Sequence, residues 1–403
     1  MEKVKTRKPH KKSRNGCIPC KARHVKCDEQ QPSCANCVKQ STPCEYRLAK
    51  SREGSTGSPL PATSAVTPSS TVEGPSFEPV LPILSVTSEP DLTALNITQL
   101  RLLHHYTTVT AQTLGADVDA HGVLATAVPQ TAFEYPFLLH VLLALAALHL
   151  SKLSASEQEA VEYALIGGRH HDAALTDFQH TVRDIEQSNF KAVLMFAGIL
   201  FPYSCASSVD TSPDIDHAFD SLLSNLSLTR RVRPMVASFY EEFRASMLGK
   251  LIPKDVQGID WLTQEPPEET ELVQLRKFAE AVHHLYPPDI VDAYGHAIHI
   301  LVLTFAAAEK SSEPPSDALL KIWIHFVSDR YVELLSERQP GSLIIYAHYA
   351  VLMQRSSVRY WYLVGVAEQI LRVTEALVPS EWAVWLNWPK EQLRRPLEMP
   401  NAS

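Results

Sequence analysis

The sequence predicts three parts in series: a small cysteine-built metal cluster, a flexible linker and a large all-α domain. Three observations predict it. Six of the seven cysteines lie between residues 17 and 44. Residues 51–90 are rich in Ser, Thr, Pro and Gly and poor in large apolar side chains. From residue 91 apolar side chains recur at three- and four-residue steps, and strand-like alternation is scarce. The boundaries that follow are 1–16 for a basic arm, 17–46 for the cysteine module, 47–90 for the linker and 91–403 for the helical domain.

The cysteines justify the first part. Cys17, Cys20 and Cys27 are spaced C-x2-C-x6-C, and Cys34, Cys37 and Cys44 repeat that spacing at an offset of 17 residues. Disulfide frameworks belong to secreted domains, yet the chain opens with "MEKVKTRKPHKKSRNG", which has no apolar signal core. A redox C-x-x-C needs one pair, whereas here two pairs each come with a third thiol. Soft thiolates converging from short loops suit Zn²⁺, which takes four ligands at about 2.3 Å. Two separate tetrahedra would need eight contacts. Two Zn²⁺ ions sharing two bridging thiolates need only the six sulfurs present.

The run "NGCIPCKARHVKCDEQQPSCANCVKQSTPCEY" resembles the fungal Zn2Cys6 binuclear-cluster DNA-binding domain. The resemblance implies that Cys17, Cys20, Cys27, Cys34, Cys37 and Cys44 all bind zinc, with Cys17 and Cys34 as the bridges. It also implies a short helix set into the major groove of double-stranded DNA.

Charge is divided to match. Residues 1–52 hold 14 Lys or Arg against 4 Asp or Glu, a balance of +10, while the remainder holds 23 against 41, a balance of −18. A basic block of this kind suits a phosphate backbone. The run "KVKTRKPHKKSR", with Lys11, Lys12 and Arg14, is expected to contact phosphate and to serve nuclear import. The first arm carries "KARHVK", so Lys21, Arg23, His24 and Lys26 are the expected DNA contacts, with Lys21 suited to guanine O6 and N7. The second arm carries only Lys39 between its last two cysteines and reads as scaffold. His24 stands where the family commonly has Lys or Arg, a departure at a position tied to CGG-type half-sites.

The second part, "SREGSTGSPLPATSAVTPSSTVEGPSFEPVLP", cannot bury enough surface to offset its ordering entropy and reads as a disordered tether. No heptad repeat follows the cluster, so no zipper is expected there.

In the third part, "LTALNITQLRLLHHYTTVTAQTL" places Leu95, Leu100, Leu103, Tyr106 and Thr110 at three- or four-residue steps, apart from one step of five. "YPFLLHVLLALAALHLSKL" is apolar from Phe137 to Leu150 but interrupted by His140 and His149; it is too short to span a bilayer and reads as a central buried helix. "GRHHDAALTDFQHTVRDI" keeps Leu175, Phe178, Val182 and Ile185 in register. Further helices are predicted over 190–204, 214–228, 234–247, 271–285, 288–308, 315–336, 342–354 and 358–377, with prolines at the breaks. Cys205 reads as a small buried residue, the pairs His104–His105, His170–His171 and His283–His284 as ordinary helix residues, and Trp382, Trp385 and Trp388 as packing for the C-terminal helices.

The segments "LRLLHHYTTVTAQTL", "FEYPFLLHVLLALAALHLS", "NFKAVLMFAGIL" and "PSEWAVWLNWP" resemble the helical regulatory domain of fungal sterol-uptake-control regulators. That resemblance implies a homodimer through this domain and, in sterol regulators themselves, a small apolar ligand. Many regulators of secondary-metabolite gene clusters share the architecture. No G-x-S-x-G, P-loop, H-E-x-x-H or dinucleotide fingerprint occurs, which argues against an enzyme. Tyr46 alone among the first 52 residues is aromatic, which argues against a zinc-dependent RNA-binding module built on base stacking. A metal-buffering module is the other reading without DNA. The sequence therefore predicts a nuclear, zinc-dependent, DNA-binding transcription factor that works with the transcription machinery and has no membrane span. Its expected targets are a secondary-metabolite gene cluster, with sterol uptake and biosynthesis genes as the alternative.

Overall fold

The computed structural model describes residues 17–23, 25–30, 33–40, 44, 96–209, 213–231 and 233–397. The chain divides into two compact units, Met1–Thr87 and Ser88–Ser403. The basic arm expected over 1–16 and the linker expected over 47–90 lie outside the described residues.

In the first unit each C-x2-C opens one short helix. Helix α1 spans Ile18–Ala22 and α2 spans Ala35–Lys39. Cys17 and Cys34 precede them in extended backbone, so the first cysteine of each pair sits at the N-cap and the second in the first turn. Neither thiol caps its own helix.

Among its described residues the second unit is built of helices joined by turns and loops, with no strand. Its helices are α3 (Ile97–Thr108), α4 (Val118–Gly122), α5 (Val128–Ala132), α6 (Pro136–Leu153), α7 (Glu157–Thr181), α8 (Phe190–Ser208), α9 (Ile215–Arg230), α10 (Arg233–Ala245), α11 (Val273–Val282) and α12 (Pro288–Glu309). They are followed by α13 (Asp317–Phe326), α14 (Asp329–Ser336), α15 (Pro340–Ser356), α16 (Val366–Leu377) and α17 (Asn387–Arg394). The starts follow local chemistry. Side chains of Asn96, Asp117, Ser156, Asp214, Ser316 and Ser328 accept from backbone N–H groups of the first turns they precede. Pro136, Pro288 and Pro340 occupy first-turn positions, where no N–H is needed. Pro340 thus starts α15 two residues before the predicted 342.

Helix α6 is the centre of one half of the core and packs against α3, α7 and α8. By length and composition α6, α8 and α12 could each cross a membrane, yet 61%, 72% and 61% of their most apolar windows are buried inside the unit. In the other half Trp323 of α13 stacks on Tyr349 of α15 at 4.3 Å and donates its indole N–H to Ala297 O at 3.0 Å. Tyr331 and Tyr349 donate to Ser342 O and Leu320 O, so these buried rings keep their polar ends paired.

Three predicted helices differ from the structure. The helix expected through Val182 and Ile185 ends at Thr181 and begins earlier, at Glu157, where Ser156 caps it. The helix expected over 315–336 is two. Val327 turns into extended backbone (ψ 145) and is fully buried, and Ser328 restarts the chain as α14. The Arg230 guanidinium, reaching from α9, donates to Ile324 O and Val327 O and so satisfies carbonyls that the break leaves open. The helix expected over 358–377 begins only at Val366. Gly365 before it has φ 85, a left-handed conformation that ends any helix arriving from Tyr360.

Candidate metal centre and nucleic-acid interface

The six N-terminal cysteines converge. One set of four sulfurs comes from Cys17, Cys20, Cys27 and Cys34, and a second from Cys17, Cys34, Cys37 and Cys44, with every sulfur within 4.8 Å of the others in its set. Cys17 and Cys34 belong to both. Their Sγ atoms lie 3.7 Å apart; Cys20–Cys34 is 3.6 Å, Cys17–Cys37 3.7 Å and Cys17–Cys27 3.8 Å. A tetrahedron with metal–sulfur bonds of about 2.3 Å has edges of roughly 3.8 Å. The spacing therefore fits two tetrahedra sharing an edge. None of the seven cysteines is in a disulfide.

The surroundings suit a closed site. Cys17, Cys20, Cys34 and Cys37 are 0% exposed. Desolvation by burial pushes the Cys34 thiol up to about 12 and Cys17 higher still, whereas the backbone N–H of Cys34 lowers Cys44. Crowded, desolvated thiols lose their protons only against a cation, so metal binding here must release protons. Backbone donors prepare for that charge. Cys34 N–H points at Cys44 Sγ at 3.2 Å, and Glu29 N–H at Cys27 Sγ at 3.4 Å. Glu29 takes φ 60, an uncommon conformation for a non-glycine residue.

Side chains tie the two arms together. The Asp28 carboxylate accepts from Ala35 N–H at 3.1 Å and so caps α2 from outside, and Asn36 Nδ2 donates to Lys26 O at 2.7 Å. Arg23 Nε donates to Pro19 O at 3.2 Å and Nη2 to Cys37 Sγ at 3.5 Å. Asp28, Glu29 and Asn36 were not anticipated from sequence, because nothing in the cysteine spacing marks which residue will meet the opposite arm.

Of the expected DNA contacts, Lys21 and Lys26 are exposed, Lys21 on α1 and Lys26 just before Cys27, while Arg23 is half-buried against the cluster. Lys11, Lys12, Arg14 and His24 lie outside the described residues.

The helical unit absorbs the other chemistry-bearing residues into packing. Cys205 is fully buried, accepts from Asn225 Nδ2 at 3.3 Å, and is pushed up to about 12 by desolvation. His170 pairs with His140, Nδ1 to Nδ1 at 2.9 Å, and His171 stacks on Tyr203. Trp382 and Trp385 meet Phe278 edge-on, and Trp388 stacks on His348 at 5.3 Å. An open hollow of about 450 Å³ lies between α11 and α12, lined by Ala279, Val282, His283, Val291, Tyr294 and Gly295. Among the described residues, the groups of three or more His, Cys, Asp or Glu able to hold a metal are the two cysteine sets.

Residues 15–53 match the fungal Zn(2)-Cys(6) binuclear cluster domain, and residues 101–233 match the fungal specific transcription factor domain. A Zn(2)-C6 fungal-type transcription factor of Gibberella zeae is 29% identical over 95% of this chain and 86% of its own. Sterol uptake control protein 2 of Saccharomyces cerevisiae is 22% identical over 68% of this chain and 30% of its own. The aflatoxin biosynthesis regulatory protein of Aspergillus parasiticus is 29% identical over 20% of this chain and 18% of its own. A cluster domain of this kind binds zinc and DNA. The converging thiols, the matched cluster domain and the matched helical domain together make the chain similar to the fungal Zn(2)-Cys(6) transcription factors.

Proposed function

We propose that the chain acts in the nucleus as a sequence-specific transcription factor whose six cysteines hold two Zn²⁺ ions and so present α1 to the major groove. The two four-sulfur sets sharing Cys17 and Cys34 carry this reading, because six thiols can close two tetrahedra only by sharing two of them. Zinc in such a closed site is structural and supplies folding free energy to a module too small to build a core. Lys21 reads a base edge, Lys26 and His24 add further DNA contacts, and Lys11, Lys12 and Arg14 neutralise phosphates. The helical unit brings two chains together and meets the transcription machinery, with tethers of about 40 residues that tolerate variable half-site spacing. Zinc closed in by four thiolates would keep no position for water, which supports a non-enzymatic reading.

The targets proposed are genes of a secondary-metabolite cluster, which the chain activates; the stretch shared with the aflatoxin regulator supports this. Regulation of sterol uptake and biosynthesis genes, with a sterol-like ligand, is the second reading, favoured by the longer match to Sterol uptake control protein 2. Genome-wide occupancy mapping separates the two and supplies the operator. On that operator Lys21→Ala is expected to cost about 1–3 kcal/mol and to relax preference at one base pair. Neutralising Lys11 and Lys12 is expected to weaken all sequences alike. Equal losses on operator and random DNA for Lys21→Ala would remove it from base reading.

A further inference from the structure

We infer that Arg23 is a positioning residue of the second four-sulfur set, a clamp between the arms that leaves DNA contact to its neighbours. Its guanidinium is shared between two elements. Nε holds Pro19 O inside α1, and Nη2 reaches Cys37 Sγ in α2, so one rigid planar fork spans both arms. The backbone N–H of Arg23 bonds the same Pro19 carbonyl, which fixes the point where α1 ends. The side chain is half-buried, whereas Lys21 and Lys26 around it are exposed.

Electrostatics supplies the reason. Two divalent ions within six thiolates carry a formal charge of about −2, and a guanidinium N–H aimed at a thiolate both offsets that charge and orients the ligand. The duplication shows that the arms are not equivalent in this respect. The offset of 17 residues that carries Cys20 onto Cys37 carries Arg23 onto Gln40, which is neutral. Cys37 belongs to the second set alone, so loss of the clamp bears on one ion more than on the other.

This inference rests on the two-ion reading, and the experiment keeps the two apart. Zinc content of the full-length chain tests the reading. The ratio of variant to wild-type release rates, followed with a chromogenic chelator, tests Arg23. For both R23A and R23K we expect one ion to leave about tenfold faster or more, because lysine keeps the charge but cannot make the fork. In excess zinc, the salt dependence of binding to a random-sequence duplex is expected to match wild type for R23A. Wild-type release rates for R23K would overturn the inference. So would wild-type release for R23A together with a salt slope lowered by about one, the mark of a lost phosphate contact. If R23A holds no zinc at all, R23K decides by the same rates.

Discussion

Replacing Cys17 by Ala should cost both zinc ions, whereas replacing Cys44 should cost one. Cys17 stands in both four-sulfur sets, so its loss leaves each ion with three sulfurs; Cys44 stands only in the second, and its loss leaves Cys17, Cys20, Cys27 and Cys34 intact. A structural zinc contributes on the order of 10–16 kcal/mol to folding such a module, far more than a unit of this size gains from burial. The difference between the variants is therefore one whole metal site and not a graded loss. The full-length wild type, C17A and C44A would be purified in zinc and dialysed against a competing chelator of nanomolar affinity. Metal and sulfur would then be determined in the same sample. The expected contents are two ions per chain for wild type, close to one for C44A and close to none for C17A, with C34A behaving as C17A. A C17A chain that keeps one tightly held ion would refute the shared-edge arrangement, since four sulfurs without Cys17 would then suffice.

Two further predictions concern the helical unit. A Cβ at Gly341 would lie 2.4 Å from Tyr294 Cε2 and 2.6 Å from Cζ, and that ring is fully buried against Phe278 and Tyr286; G341A should therefore cost about 1–3 kcal/mol or more and lower the Tm by several degrees. A Tm equal to wild type would mean that the ring gives way freely. Desolvation holds His348 down at about 4, and desolvation together with the neighbouring His105 does the same to His149. The unfolded chain binds those protons near pH 6.5 and the folded chain does not, so stability falls as pH drops from about 6.5 toward 4, by about 2 kcal/mol per histidine at pH 5. Denaturant midpoints of wild type, H149Q and H348Q between pH 7 and 5 check this, and an unchanged slope in the variants would exclude these histidines as its source.

The sequence by itself determined the cysteine module, because its ligands are local: two C-x2-C pairs and a third thiol six residues on leave little for tertiary structure to choose. It also determined most helix starts, since Ser156, Asp214, Pro136 and Pro288 act on the turn they precede. Tertiary structure decided what depends on distant partners. The apolar pattern of 315–336 runs on across Val327, and only Arg230, from almost a hundred residues earlier, makes a break there tolerable by satisfying its carbonyls. Gly365 likewise reads as an ordinary residue until the backbone is seen to take φ 85. Arg23 is the clearest case. In the sequence it is one of several cations between Cys20 and Cys27, indistinguishable by type from its neighbours. Only the fold brings Cys37 within 3.5 Å of its guanidinium and separates it from the exposed lysines on either side.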